Sequence, residues 1–277
     1  NTSFVVGDIR DEHRIKEVLV DFQPQIVIIA AALKQVDTCE FAPVESLKTN
    51  VLGITNVIEG SLALGSILTS LECVLMISTD KACSPTNVYG MSKALAERIV
   101  VSASRKKNST RYLGVRYGNV LDSRGSIVPL FRYQALYERA FTITNNRMTR
   151  FLMTLDESID LIENAISYGE SGDFWIPQLR SMKIADLAEI FSERYNKPVV
   201  EIGIRPGEKL HESMISSTES YKTIIKDNFY IITPEIQINK NYENIYGKIY
   251  MNNDTEYSSG NNDLIDDILL KNLLKNN

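Results

Sequence analysis

The chain has 277 residues, 44% hydrophobic and 23% charged, with a formal net charge of −5. That is ample for a core and predicts one large or two modest domains. The mild acidity leaves no basic footprint for nucleic acid, and without a run of 18 apolar residues no membrane span is expected.

Three cysteines (Cys39, Cys73 and Cys83), odd in number and without C-x-x-C spacing, predict free or buried thiols in a reducing compartment. Two histidines, His13 and His211, are too few for a His-based zinc site, so no metal is expected.

Residues 2–10 read as a short strand running into a turn. Residues 11–20 read as a helix with an apolar stripe of Ile15, Val18 and Leu19, broken by Pro24, and residues 25–30 as a buried strand. This alternation predicts an α/β fold, a doubly wound parallel sheet of Rossmann type. Small residues, Ala30, Ala31 and Ala32, end that strand, and Lys34 follows. Residues 45–58 form a long helix in which Leu47, Val51, Ile54 and Ile58 make the core face; Asn50 falls off that stripe and reads as a solvated position.

The apolar run at 73–77 is the next buried strand, and Ser78-Thr79-Asp80-Lys81-Ala82 stands at its end, before a helix that carries Tyr89 and Lys93. In open α/β sheets ligands bind outside the carboxyl ends of the strands. Tyr89 and Lys93, four apart, share a helix face. An ammonium beside a phenol favours the phenolate and makes Tyr89 a usable base near neutral pH.

Residues 111–120 form another strand with a glycine break near its end, followed by a polar loop at 121–126, a helix at 129–140 and a strand at 141–144. Arg150, between apolar neighbours, offers planar recognition of phosphate. An amphipathic helix at 155–168 has Asp156 as a candidate N-cap, and a short strand at 173–177 holds Trp175 as a packing residue. After a helix at 184–195 and a strand at 199–204, Arg205-Pro206-Gly207-Glu208 puts a guanidinium at a loop corner and a carboxylate at a helix start. From Thr233 the tail is rich in Asn, Lys, Tyr and Asp with little periodicity. No Gly-rich phosphate-cradling turn occurs anywhere.

Thr79-Asp80-Lys81 with Tyr89-x-x-x-Lys93 resembles the extended short-chain dehydrogenases/reductases, and within them the nucleotide-sugar enzymes of polysaccharide biosynthesis. Gly7-Asp8-Ile9-Arg10, Ala-Ala-x-Lys at 31–34, Arg116-Tyr117-Gly118-Asn119-Val120, Thr149-Arg150-Phe151 and Arg205-Pro206-Gly207-Glu208-Lys209 extend the likeness over residues 4–230. The inverting UDP-N-acetylglucosamine 4,6-dehydratases carry Thr-Asp-Lys where many retaining relatives carry Thr-Asp-Glu. Tyr89 stands where several membrane-anchored relatives and the C5-epimerases have Met.

The resemblance implies a hydro-lyase that oxidises a UDP-sugar transiently at C4, with NADP, or NAD, as cofactor. It implies Thr79, Asp80, Lys81, Tyr89 and Lys93 as catalytic residues. Asp8, Ile9, Ala30, Ala31, Ala32 and Asn50 would hold the cofactor together with Tyr89 and Lys93. Lys34, Asn119, Arg150, Arg205 and Glu208 would hold the substrate. It further implies a cytoplasmic homo-oligomer with no nucleic-acid or membrane partner. Its domains would be a cofactor domain at 1–177, with 120–150 contributing to the substrate lobe, and a substrate lobe with tail at 178–277.

In these relatives the Gly-rich turn precedes Gly-Asp-Ile-Arg by two strand–helix units, so about 60 further residues are expected ahead of residue 1. They would include the one that selects NAD or NADP. Three other readings stay open: a C4 or C5 epimerase, a keto-sugar reductase, and a non-catalytic remnant that binds a nucleotide sugar.

Overall fold

The protein is represented by a computed structural model that describes residues 2–106, 109–234 and 254–275. Its main sheet has six strands in the order β1-β2-β3-β7-β12-β11. These are β1 (Ile26–Ile29), β2 (Cys73–Thr79), β3 (Arg111–Tyr117), β7 (Phe174–Pro177), β11 (Thr223–Lys226) and β12 (Phe229–Ile232). The first four run parallel; β12 pairs antiparallel with β7, and β11 with β12. Near-continuous apolar strands covered on both faces are what a parallel sheet requires.

Helices α1 (Glu12–Phe22), α2 (Val36–Phe41), α3 (Pro43–Leu47), α4 (Gly53–Ala63) and α5 (Val88–Ser104) alternate with the first strands. Ile54 and Ile58 of α4 and Ala96 and Val100 of α5 pack with Val74 and Met76 in one core. On the opposite face α7 (Leu155–Tyr168) brings Leu161 and Ala165 against Leu75, Leu113 and Trp175.

The second lobe holds β4 (Asn119–Val120), β6 (Thr149–Met153) and β8 (Ser181–Lys183) in a three-stranded sheet. Two further pairs join it: β5 (Phe141–Ile143) with β9 (Val199–Glu201), and β10 (Ser213–Ile215) with β13 (Tyr257–Ser258). Helices α6 (Ile127–Tyr137), α8 (Ile184–Tyr195) and α10 (Asp267–Lys275) surround a core that includes Phe131, Phe141 and Phe191, while the short α9 (Ser217–Ser220) leads back to the main sheet. The chain therefore passes between the lobes five times: after Tyr117, after Met153, after Pro177, before Thr223, and between Ile232 and Tyr257. The segment beyond 178, expected to form only the substrate lobe and tail, also supplies β11 and β12 of the main sheet.

Several local expectations change. Residues 2–7 form no strand, and Phe4 and Val6 are 93% exposed; the outer edge of β1 carries no strand among the described residues. Thr154, not Asp156, caps α7, because its hydroxyl accepts from the Glu157 amide while the Glu157 carboxylate answers the Thr154 amide. Glu208 starts no helix; it accepts from the Arg205 amide and closes its own turn. The helix expected at 45–58 contains a π turn at Lys48–Leu52. That wider turn swings Asn50 inward, where it is fully buried rather than solvated. The tail at 235–253 lies outside the described residues.

All three cysteines are free and buried, and burial lifts the thiols of Cys73 and Cys83 to about 11 and about 12. Among the described residues no helix is long and apolar enough to cross a membrane.

A buried ion cluster joins α5 to the return from the second lobe. Arg116 on β3 donates to both Glu97 oxygens at 2.9 and 2.6 Å and to both Glu219 oxygens at 2.7 and 3.0 Å. Its side chain is 3% exposed.

Candidate active site

The carboxyl end of β2 breaks into a single 3-10 turn, Asp80–Ala82, capped by Thr79. Helix α5 starts immediately afterwards, with the Asn87 side chain accepting from the Gly90 amide. The two elements touch backbone to backbone: a Cβ on Gly90 would lie 2.2 Å from the Lys81 carbonyl oxygen. Gly90→Ala must therefore push the 3-10 turn away from α5, at a cost of about 1–3 kcal/mol. We expect a lower melting temperature together with a fall in kcat, because Asp80 and Lys81 move with that turn. A variant with parental kcat would show that the close approach does not position them.

The Arg205–Glu208 loop is tied to the same corner. Gly207, at φ +78°, offers its carbonyl oxygen to Asn87 Nδ2 at 2.9 Å and to Thr86 Oγ1 at 3.2 Å.

Between these elements lies a cavity of about 490 Å³. Thr79, Asp80 and Lys81 from the end of β2 and Tyr89 and Lys93 from α5 line it. So do Ala30, Ala32 and Lys34 after β1, Asn119 of β4, and Arg205 and Glu208 of the loop. Within it Thr79 donates to Asp80 Oδ1 at 2.9 Å and Lys81 Nζ to the same oxygen at 3.0 Å. Lys93 Nζ donates to the Ile77 carbonyl at 2.7 Å, and Lys34 Nζ to the Arg124 carbonyl at 2.7 Å. Buried Asn119 Oδ1 has no partner, an acceptor available to a ligand.

Other expected site residues are placed elsewhere. Asp8 is exposed and held by Arg10, which keeps its carboxyl down at about 2; Ile9 packs against Gly53. Ile9 and Ala31 border an apolar groove beside β1, and Ala30 lies in both hollows. Asn50 ties the segment after β1 to α5, through the Leu33 amide at 2.8 Å, the Leu33 carbonyl at 2.9 Å and Ser92 Oγ at 3.0 Å. Arg150 does not reach the cavity: it is 8% exposed, and its guanidinium donates to the carbonyls of Thr149 and Leu210.

The electrostatics also differ from the simple pairing of Tyr89 with Lys93. Burial raises the Tyr89 phenol above its ordinary value; Lys81 and a hydrogen bond with Thr79 oppose that rise. Burial drops the Lys93 ammonium to about 8, with Glu97 resisting. Burial works on Lys81 in the same sense, but Asp80 and then Glu212 outweigh it and hold its ammonium above the usual lysine range. Glu212, 3.5 Å from Lys81 Nζ, received no role in the sequence reading. The one available signal was its place at the end of Arg205-Pro206-Gly207-Glu208-Lys209-Leu210-His211-Glu212, directly before an apolar strand.

The cavity residues fit a nicotinamide cofactor: small side chains of Ala30 and Ala32 leave room beside Tyr89 and Lys93. Among the described residues no cluster of His, Cys, Asp and Glu could hold a metal ion.

Known proteins resemble the chain over most of its length. Residues 1–234 match the family described as "Polysaccharide biosynthesis protein". A UDP-N-acetylglucosamine 4,6-dehydratase (inverting) of Campylobacter jejuni subsp. jejuni serotype O:23/36 (strain 81-176) is 38% identical over 85% of this chain and 69% of its own. A UDP-glucose 4-epimerase of Rickettsia bellii (strain OSU 85-389) is 40% identical over 83% of this chain and 66% of its own. The chain thus spans about two thirds of the length of these relatives. The X-ray structure of Pen from Bacillus thuringiensis superposes with a TM-score of 0.86 at 31% identity, over 99% of this chain and 82% of that one.

Proposed function

Since the chain belongs to the polysaccharide biosynthesis protein family, we propose that it is a nucleotide-sugar 4,6-dehydratase that converts UDP-N-acetylglucosamine to the C5-inverted 6-deoxy-4-keto sugar. One observation carries this reading: the Tyr89–Lys93 pair and the Asp80–Lys81 ion pair line a single cavity. The first suits oxidation at C4, and the second suits removal of water across C5 and C6.

Ala30, Ala32, Tyr89 and Lys93 would hold the nicotinamide end of NADP or NAD. When bound, that cofactor supplies a reversible hydride acceptor. Tyr89 Oη takes the proton of the 4-hydroxyl, and Thr79 orients that hydroxyl. Lys81 is the positive group that favours the Tyr89 phenolate, and Lys93, lowered to about 8 by burial, stands one helical turn along on the same cavity wall. With C4 a ketone, the C5 proton is acidic, and Lys81 Nζ removes it. Asp80 would enter that step protonated on its unpartnered Oδ2 and give this proton to the departing 6-hydroxyl. Lys34, Asn119, Arg205 and Glu208 would bind the uridine diphosphate. Arg150, whose Nη1 donates to two backbone carbonyls and which does not line the cavity, is left out of that set.

The likeness to UDP-glucose 4-epimerases favours a second reading, in which only the Tyr89–Lys93 half of the site is used. Incubating the full-length protein with UDP-N-acetylglucosamine and NADP in deuterated water separates the two. The expected product has lost water, carries deuterium at C5 and is inverted there. An epimer formed without loss of water moves the assignment to an isomerase. No turnover leaves a nucleotide-sugar-binding protein.

A further inference from the structure

Next to Lys81, but outside the cavity lining, lies a carboxylate to which the reaction above gives no part. Glu212 is 2% exposed and does not line the cavity. Its backbone is pinned between β10 and β13: its amide donates to Ser259 Oγ at 3.0 Å, and its carbonyl accepts from the Ser259 amide at 2.8 Å. Its side chain points at the catalytic corner, with Oε1 3.5 Å from Lys81 Nζ and Oε2 buried without any hydrogen-bond partner. Asp80, 1% exposed, contacts Lys81 at 3.0 Å and also leaves an oxygen, Oδ2, unpartnered. Arg150 and Lys209 bear on Glu212, and Arg150 and Tyr89 on Lys81.

A lysine between two buried carboxylates is a cation, yet removal of the C5 proton needs a free amine. The proton has to leave Nζ first, and the two carboxylates are not equal as acceptors. Asp80, as the acid of the reaction, already carries the proton it gives to the leaving hydroxyl and takes no second one from Lys81. Glu212 is the other carboxylate within reach, with Oε1 at 3.5 Å and Oε2 buried and unpartnered; burial, opposed by Lys81 and aided by Asp80, raises its carboxyl above the ordinary range.

We propose that Glu212 is the positioning residue that accepts the ammonium proton of Lys81, so that Lys81 meets C5 of the sugar as a neutral amine. The inference rests on the dehydratase reading. An N–H bond of Lys81 breaks, an O–H bond forms on Glu212 Oε1, and the electron pair left on Nζ takes the C5 proton. The proton gained from C5 balances the one Asp80 gives to the departing hydroxyl. The proton count of Lys81, Asp80 and Glu212 is therefore unchanged by the loss of water.

The test is Glu212→Gln in the full-length protein, which keeps the shape and removes the acceptor. For water loss from UDP-N-acetylglucosamine we expect kcat to fall on the order of 10²-fold, the scale of a lost acid–base group, with KM little changed. The acid limb of the kcat–pH profile, set in the parent by ionisation of Glu212, should vanish. Glu212→Asp should recover a large part of the loss, which separates proton transfer from misfolding.

A second readout needs neither substrate nor turnover. The 13Cε resonance of Lys81, followed through a pH titration, should titrate at lower pH in Glu212→Gln, because one neighbouring anion is gone. Parental kcat with an unchanged acid limb in Glu212→Gln overturns the proposal and leaves the dehydratase reading intact. If the parent itself releases no water, the dehydratase reading fails, and an unmoved Lys81 titration then overturns the proposal as well.

Discussion

Lys81→Met should abolish formation of the dehydrated sugar, with kcat lower by about 10²–10⁴-fold, the range for loss of a positioned general base. Methionine keeps much of the length of the chain and carries no proton. UDP-N-acetylglucosamine should still bind, because Lys34, Asn119, Arg205 and Glu208, the proposed contacts to the diphosphate, are untouched. Calorimetric titration with the UDP-sugar and mass analysis of product in deuterated water check both halves. The substitution also leaves Asp80, 1% exposed, without its cation, so the melting temperature of the variant has to be recorded alongside. If the variant retained more than a tenth of the parental kcat while incorporating deuterium at C5, Lys81 would not be the base.

Arg116→Met carries the largest expected effect on stability. It strips Glu97 and Glu219, both mostly buried, of the guanidinium that pairs them. Removing one partner of a buried ion pair costs about 3–5 kcal/mol. For a domain of this size that corresponds to a fall in Tm of roughly 10 °C, at about 2–4 °C per kcal/mol. The pH dependence gives the sign. Burial opposes ionisation of Glu219, but Arg116 and the Ser216 contacts overcome it and hold the carboxyl at about 2. A carboxyl depressed in the folded state stabilises fully above the unfolded value, and that stabilisation is lost as pH falls through the folded one. The parent should therefore lose this contribution between the ordinary glutamate range and about pH 2. In Arg116→Met the two carboxylates are left buried and unpaired and welcome protons, so the gap to the parent should narrow in acid. Thermal melts at neutral and acid pH test this, and an equal gap at both would argue against the pairing.

Much of the site could be read before folding, because the chemistry sits in one stretch of chain. Thr79, Asp80, Lys81, Tyr89 and Lys93 lie within 15 residues along the sequence, where a buried strand gives way to a helix. Strand ends of parallel sheets are where ligands bind, and that rule brought Ala30, Ala32, Lys34 and Asn119 to the same cavity.

What the sequence hid depends on distance and on hydrogen-bond geometry. Nothing local shows that Glu212 closes on Lys81 from a different strand, or that the donors of Arg150 turn back onto carbonyls of neighbouring segments. Asn50 was misplaced because helical periodicity assumes a regular turn, and a π turn breaks that count. Residues 2–7 have a strand's composition, but a strand exists only through its neighbour, and no strand lies on the outer edge of β1 among the described residues.

The five passages of chain between the lobes have a mechanical consequence. A lobe joined by one or two linkers can swing, whereas a lobe crossed five times along a shared core behaves as one body with the sheet. Phe151, Met153, Leu179 and Met214 of the second lobe pack in the same cluster as Val74 and Met76 of the sheet, so swinging would tear a hydrophobic seam. The cavity is then walled from the second lobe by Ser123 and Gly125 of the turn after β4 and by Arg205 and Glu208 of the loop before β10. Such a site is shaped before its ligand arrives. Affinity goes to holding the sugar nucleotide rather than to closing a clamshell.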